Sequence, residues 1–206
     1  MRSIGVDETR KHHTDSPAEL DVEPVRGRLA AEPLDRVVDD LKEILRAYTR
    51  KRGFIRGGEL QRLDDRYLAA RELLHAADLA ARSHEPSEAE ELYVLQLVGG
   101  ADRGEWPPET ELPDSLTAAR GLAVTDAVEA YRRDVRTWLD ENPDPDAAST
   151  LGSLRDQLKR AEALQGEIPV ETADELVVVA REIGQYLRDD DVDALASARD
   201  RLTRLR

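Results

Sequence analysis

Residues 34–52 read LDRVVDDLKEILRAYTRKR, and the spacing of the apolar side chains in this stretch decides the fold class. Leu34, Val37, Val38, Leu41, Ile44, Leu45 and Tyr48 recur at helical spacing, so they share one stripe of an α-helix and no single face of a strand. Asp39, Asp40, Lys42 and Glu43 occupy the other side. A turn is expected at Gly53 to Gly58, followed by a longer helix from about Glu59 to Ser83. Its apolar residues repeat in sevens, as Leu60, Tyr67, Leu74 and Ala81 interleaved with Leu63, Ala70 and Ala77, a seam suited to close pairing. The two helices are expected to form a long antiparallel hairpin.

Downstream, Ser87 and Glu90 have the spacing of a capping box opening a third helix. Its body (Leu92, Tyr93, Val94, Leu95, Leu97, Val98) is apolar nearly all round, which predicts burial on several sides, and Gly99 and Gly100 predict its end. Residues 101–113, with Trp106, Pro107, Pro108 and Pro113, read as an extended connection. A fourth helix is expected over Asp114 to Glu141, then a break at Asn142 to Asp146 and three more helices near Leu151–Leu164, Glu171–Leu187 and Val192–Leu205. Thr172 with Glu175 predicts another capping box.

Upstream, residues 1–15 lack apolar periodicity and read as a disordered tail. Ser16, Pro17 and Glu19 mark the first structured turn, and Pro24 limits the stretch before Pro33 to short helical pieces. No strand alternation and no fixed repeat is found. The expected fold is all-α, an irregular bundle of about six or seven helices over residues 16–206, with a possible sub-boundary at 99–113.

Composition narrows the setting. The chain of 206 residues has 44 acidic and 30 basic residues, a formal net charge of -14, no Cys and 4% aromatic residues. Such a surface repels nucleic acid and anionic lipid in bulk. Missing thiols exclude disulfides, thiolate metal sites and thiol catalysis. Lys occurs only as Lys11, Lys42, Lys51 and Lys159, against 26 Arg. Many carboxylates, scarce Lys, small aliphatics and absent Cys together resemble the composition of proteins from salt-loving archaea. Carboxylates stay hydrated at low water activity, and their mutual repulsion is tolerable where the Debye length shrinks to about 3 Å at 1 M salt. An ordinary acidic protein of a GC-rich bacterium is the alternative. The polar N-terminal residues lack a signal-peptide core, and no segment has the length of apolar chain a membrane span requires, so a cytoplasmic location is expected.

Few side chains suggest chemistry. Arg46, Arg50, Lys51, Arg52 and Arg56 form a basic run without an acid, with Tyr48 and Phe54 among them. Guanidinium forks on phosphate and rings on bases would make it a site for an anionic partner. Cations closing the first long helix, paired with Asp64 or Asp65, are the commoner explanation. Glu72 and His75 have the Glu-x-x-His spacing of a di-iron bundle, but a second pair is missing, and His75 stands next to Arg71 and Asp78 at helical spacing, so a salt-linked surface His is expected and no metal site is assigned. No nucleophile elbow or phosphate loop is present. Asp189, Asp190, Asp191 and Asp193 are expected to cap the last helix, and Trp106 to pin its loop to the bundle. The expectation is a non-enzymatic helical scaffold or adaptor that uses no cofactor and docks a protein partner or a second copy of itself. A nucleic-acid accessory factor working through the 46–56 segment is the alternative.

Overall fold

The computed structural model of the protein describes residues 18–29, 31–82 and 86–205. The expected tail and the Ser16–Pro17 helix start lie outside the described residues. Among those residues there are eight α-helices and one two-stranded hairpin, an all-α bundle. Helix α1 (Glu23–Leu29) accommodates Pro24 in its first turn, where no backbone donor is needed. Helix α2 (Leu34–Lys51) buries the stripe read from the sequence, Leu34, Val37, Val38, Leu41, Leu45 and Tyr48, and leaves Asp39, Asp40 and Glu43 exposed.

The expectation for residues 59–64 is corrected. The chain after α2 forms β1 (Ile55–Arg56) and β2 (Glu59–Leu60), antiparallel, with Ile55 opposite Leu60. Gly57 and Gly58 have φ of +57° and +83°, the left-handed backbone a two-residue hairpin loop requires. Helix α3 (Asp65–Arg82) begins only after the Asp64 carboxylate accepts from the Tyr67 amide at 2.9 Å. Leu60 and Leu63 therefore enter the core from extended chain and not from a helical seam.

Buried Ala69, Ala70, Ala76, Ala77 and Ala80 let α3 be approached from several sides. It packs on α2, on α4 (Glu88–Arg103) and on α5 (Thr117–Glu141). Along α2 and α3 the contacts Lys42 to Asp78, Tyr48 to Tyr67 and Arg52 to Asp64 run in opposite chain directions. The Ser87–Glu90 capping box opens α4 as expected. The helix passes through Gly99 and Gly100, however, and ends at left-handed Gly104. Gly100 serves a close approach instead of a helix end: a side chain there would meet the Glu105 carbonyl oxygen at 2.5 Å. Nor is α4 buried on all sides, because Leu92 is 56% and Leu95 44% exposed.

Two short 3-10 turns, Glu109–Glu111 and Asp114–Leu116, lead into α5. The expected break after α5 is present at 142–144, but Pro145 is not part of it. It is the first residue of α6 (Pro145–Ala163), with Asp144 as N-cap accepting from the Ala147 amide at 2.8 Å. The expected helix start near Leu151 is thus moved back. Helix α7 (Val170–Asp189) starts at Pro169 without a side-chain cap, so the Thr172–Glu175 box does not form, and Glu175 instead pairs with Arg201 at 2.8 Å. Asp191 caps α8 (Val192–Arg204) as expected. One apolar cluster runs from Val22 to Leu202, and the Leu176–Ala180 block is largely inside it. No helix among the described residues is long and apolar enough to cross a membrane.

Candidate functional site

The basic run does not stay together. Arg52 is turned inward, where its guanidinium pairs with Asp64 at 2.7 Å and lies over the Phe54 ring at 5.0 Å. Phe54 and Tyr48 are both buried, each packed edge-on or tilted against Tyr67. Rings committed to the core are not available to stack on bases, so the aromatic half of the alternative anion site is corrected, while the Arg52–Asp64 pair is one that the commoner explanation named. Arg46, Arg50 and Lys51 remain exposed at the C-terminal end of α2, with Arg56 half-buried on β1. Arg50 Nε donates to the Arg46 carbonyl oxygen, a cation bonded to the last turn of its own helix.

Glu72 and His75 also part company. Nε2 of His75 lies 3.0 Å from Asp126 on α5, a charge on another helix and not the Asp78 of its own to which the spacing pointed. Glu72, three residues earlier, points into the interior and is fully buried. Its carboxylate accepts from Tyr93 Oη, from Trp106 Nε1 at 2.6 Å and from Arg120 at 3.3 Å. Arg120 in turn grips Asp174 of α7 with two parallel bonds of 3.0 and 2.9 Å, donates to the Pro107 carbonyl at 3.0 Å, and lies over the Trp106 ring at 3.9 Å. One guanidinium thus ties together α3, α4, α5, α7 and the connector at 105–108. Burial pushes the Glu72 carboxyl above its ordinary range despite the adjacent Arg120, and pushes the Tyr93 hydroxyl upward with the neighbouring carboxylate adding to it.

This cluster pins the Trp106 loop, as the sequence led one to expect of that residue; Tyr93 was marked only as part of an apolar helix body, and Arg120 and Asp174 carried no sequence signal. Arg120 is one of 26 Arg, and helical periodicity places it next to buried Ala119 without marking it as inward. Chemically the cluster is saturated. The donors around the Glu72 carboxylate come from the protein itself, and Arg120 is used by two carboxylates and a carbonyl. A second buried tie joins Asp134 of α5 to the Phe54 amide at 2.7 Å and fixes the β-hairpin against the bundle.

Two surface features bear on docking, apart from Leu79, Leu164 and Val192, which are also exposed. A groove of about 280 Å³ lies between the C-terminal ends of α5 and α7, lined by Trp138, Pro143, Asp144, Tyr186 and Leu187. Its Asp144 is occupied by the Ala147 amide and by Tyr186 Oη at 2.7 Å. The other feature is the outer face of α4, where Leu92 and Leu95 stand exposed with Ala89. Among the described residues, no three of His, Asp and Glu converge as metal ligands.

A family model described as a family of unknown function, DUF7117, matches residues 1–202. No curated protein and no solved structure matches the chain.

Proposed function

The chain belongs to the DUF7117 family, and we propose that it acts as a non-enzymatic helical scaffold of a salt-loving cell's cytoplasm, docking a protein on its outer helices. One observation carries this reading: the internal acid–base groups are consumed in ties between helices, whereas apolar side chains are left outside on α4. Large exposed aliphatics on a firmly packed helix mark a docking surface more often than a reaction centre. The composition supports the salty setting, since 44 carboxylate residues among 206 keep a surface hydrated. Cross-linking in the native cell at its own salt concentration tests the reading. A complex of fixed composition is expected, and recovery of the bare single chain at all cross-linker doses would contradict it.

A second reading keeps Arg46, Arg50 and Lys51 as contacts for nucleic acid, supported by their exposure at one end of α2. Replacing those three by Ser is expected to abolish any retention on nucleic acid at native salt; unchanged retention removes this reading.

A further inference from the structure

The groove between the ends of α5 and α7 is built from features of one electrostatic sign. Two helix C-termini meet there: α5 closes at Asn142 and α7 at Asp190, and each brings the partial negative charge of its last carbonyls. The carboxylates of Asp144 and Asp190 line the groove, and no Lys, Arg or His does. Arg188, which follows Leu187, donates to Tyr131 Oη at 3.2 Å, and Arg199 pairs with Asp146 at 2.7 Å. Elsewhere on the surface carboxylates are answered by guanidiniums, as at Asp40, Asp65 and Glu129, whereas exposed Asp190 has no such partner among the described residues. Two aromatic side chains complete the walls, each held by its polar edge: Trp138 Nε1 donates to the Gly58 carbonyl at 2.9 Å, and Tyr186 Oη donates to Asp144 at 2.7 Å.

We propose that this groove binds a small quaternary ammonium cation of the choline type. The site goes beyond the scaffold reading and does not rest on it. Charge alone would admit any cation; the hydrogen bonds narrow the choice. One oxygen of Asp144 accepts from the Ala147 amide at 2.8 Å and the other from Tyr186, so the cation that suits is one with no N–H to donate. Aromatic rings attract such a group through their negative faces, and its methyls are covered by Trp138, Tyr186 and Leu187. Those apolar contacts are not screened, so they set the ligand apart from potassium at multimolar salt, which competes for the carboxylates only. A volume of about 280 Å³ lies just below the usual range of ligand sites, about 300–1,000 Å³, and fits a head group of this size.

The chain has two Trp, and Trp106 belongs to the buried cluster, so the two indole N–H signals in an NMR spectrum of the labelled chain report the groove and its control separately. Trp138 is assigned by the signal lost in Trp138→Phe. Choline chloride titrated at several molar KCl is expected to move the Trp138 signal saturably, with a midpoint on the order of millimolar, and to leave Trp106 in place. The uncharged analogue, with a tert-butyl group in place of the trimethylammonium, should leave both signals in place. Tyr186→Leu is expected to weaken choline about three- to fivefold, the worth of one exposed ring, and Tyr186→Phe to retain it. Asp190→Asn, which tolerates the left-handed backbone of φ +55° at that position, should weaken it about twofold. No saturable shift of Trp138, an equal shift with the uncharged analogue, or unchanged choline binding in both Tyr186→Leu and Asp190→Asn overturns the proposal.

Discussion

Glu72 and Arg120 show what a charge does inside this bundle. A carboxylate removed from water is costly unless donors replace the lost hydration, and Tyr93, Trp106 and Arg120 do so here. Taking away one partner leaves the others unmatched, so Glu72→Ala is expected to lower stability by about 3–5 kcal/mol in urea denaturation. A loss near zero would show that the cluster is not a tie. The direction of the shift sets the pH response. The Glu72 carboxyl is raised in the fold, so the folded chain holds its proton more tightly than the unfolded chain. Its favourable contribution is complete below the ordinary carboxylate range and is lost as pH rises through the folded value. Asp78, held below that range by Lys42, and Glu129, held below it by Arg132, act in the opposite sense. Their contribution is present above the ordinary range and disappears as pH falls. Thermal melts of Glu129→Gln against the unaltered chain should accordingly converge at acid pH and separate toward neutrality; equal separation at all pH values would contradict the assignment.

At the level of elements, how closely helices approach decides which glycines matter. A side chain at position 121 of α5 would come within 2.1 Å of the Gly166 carbonyl oxygen, and Gly166 itself has φ of +81°. Gly121→Ala is thus expected to cost on the order of 1–3 kcal/mol through overpacking. Gly152, exposed on α6 with open space around it, should gain about 0.5–1 kcal/mol on replacement by Ala. Opposite signs in the two denaturation midpoints check the packing of α5 against the loop after α6. Elements differ in how openly the sequence announces them. The stripe of α2 and the capping box of α4 were legible because each depends on neighbours within a few residues. The β-hairpin was hidden, since Leu60 and Leu63 fit a heptad with Tyr67 as readily as they fit an extended chain capped by Asp64. The role of Gly100 was equally hidden, because what it accommodates is the Glu105 carbonyl of the chain folding back after α4. The inward charges were least visible: which Arg faces Glu72 is fixed by helix neighbours 48 residues apart, and a single sequence does not record that pairing.

The whole molecule is a stack in which α3 and α5 sit centrally and the acidic surface faces outward. A net charge of -14 on so compact a chain repels itself at low ionic strength, and salt relieves the repulsion. The thermal midpoint is therefore expected to rise as KCl goes from tens of millimolar to several molar; an unchanged or falling midpoint would contradict the salt-adapted reading. Buried ties hold the helices to one another, and under the proposed scaffold role an apolar face fixed in this way would meet a partner with little further ordering. The most direct test is the mass of the complex recovered by cross-linking in the native cell at its own salt concentration. A mass above that of the single chain is expected for the unaltered protein, and a reduced yield of that complex for Leu92→Glu, which places a charge on the exposed face of α4. The single-chain mass for the unaltered protein at every cross-linker dose would contradict the account.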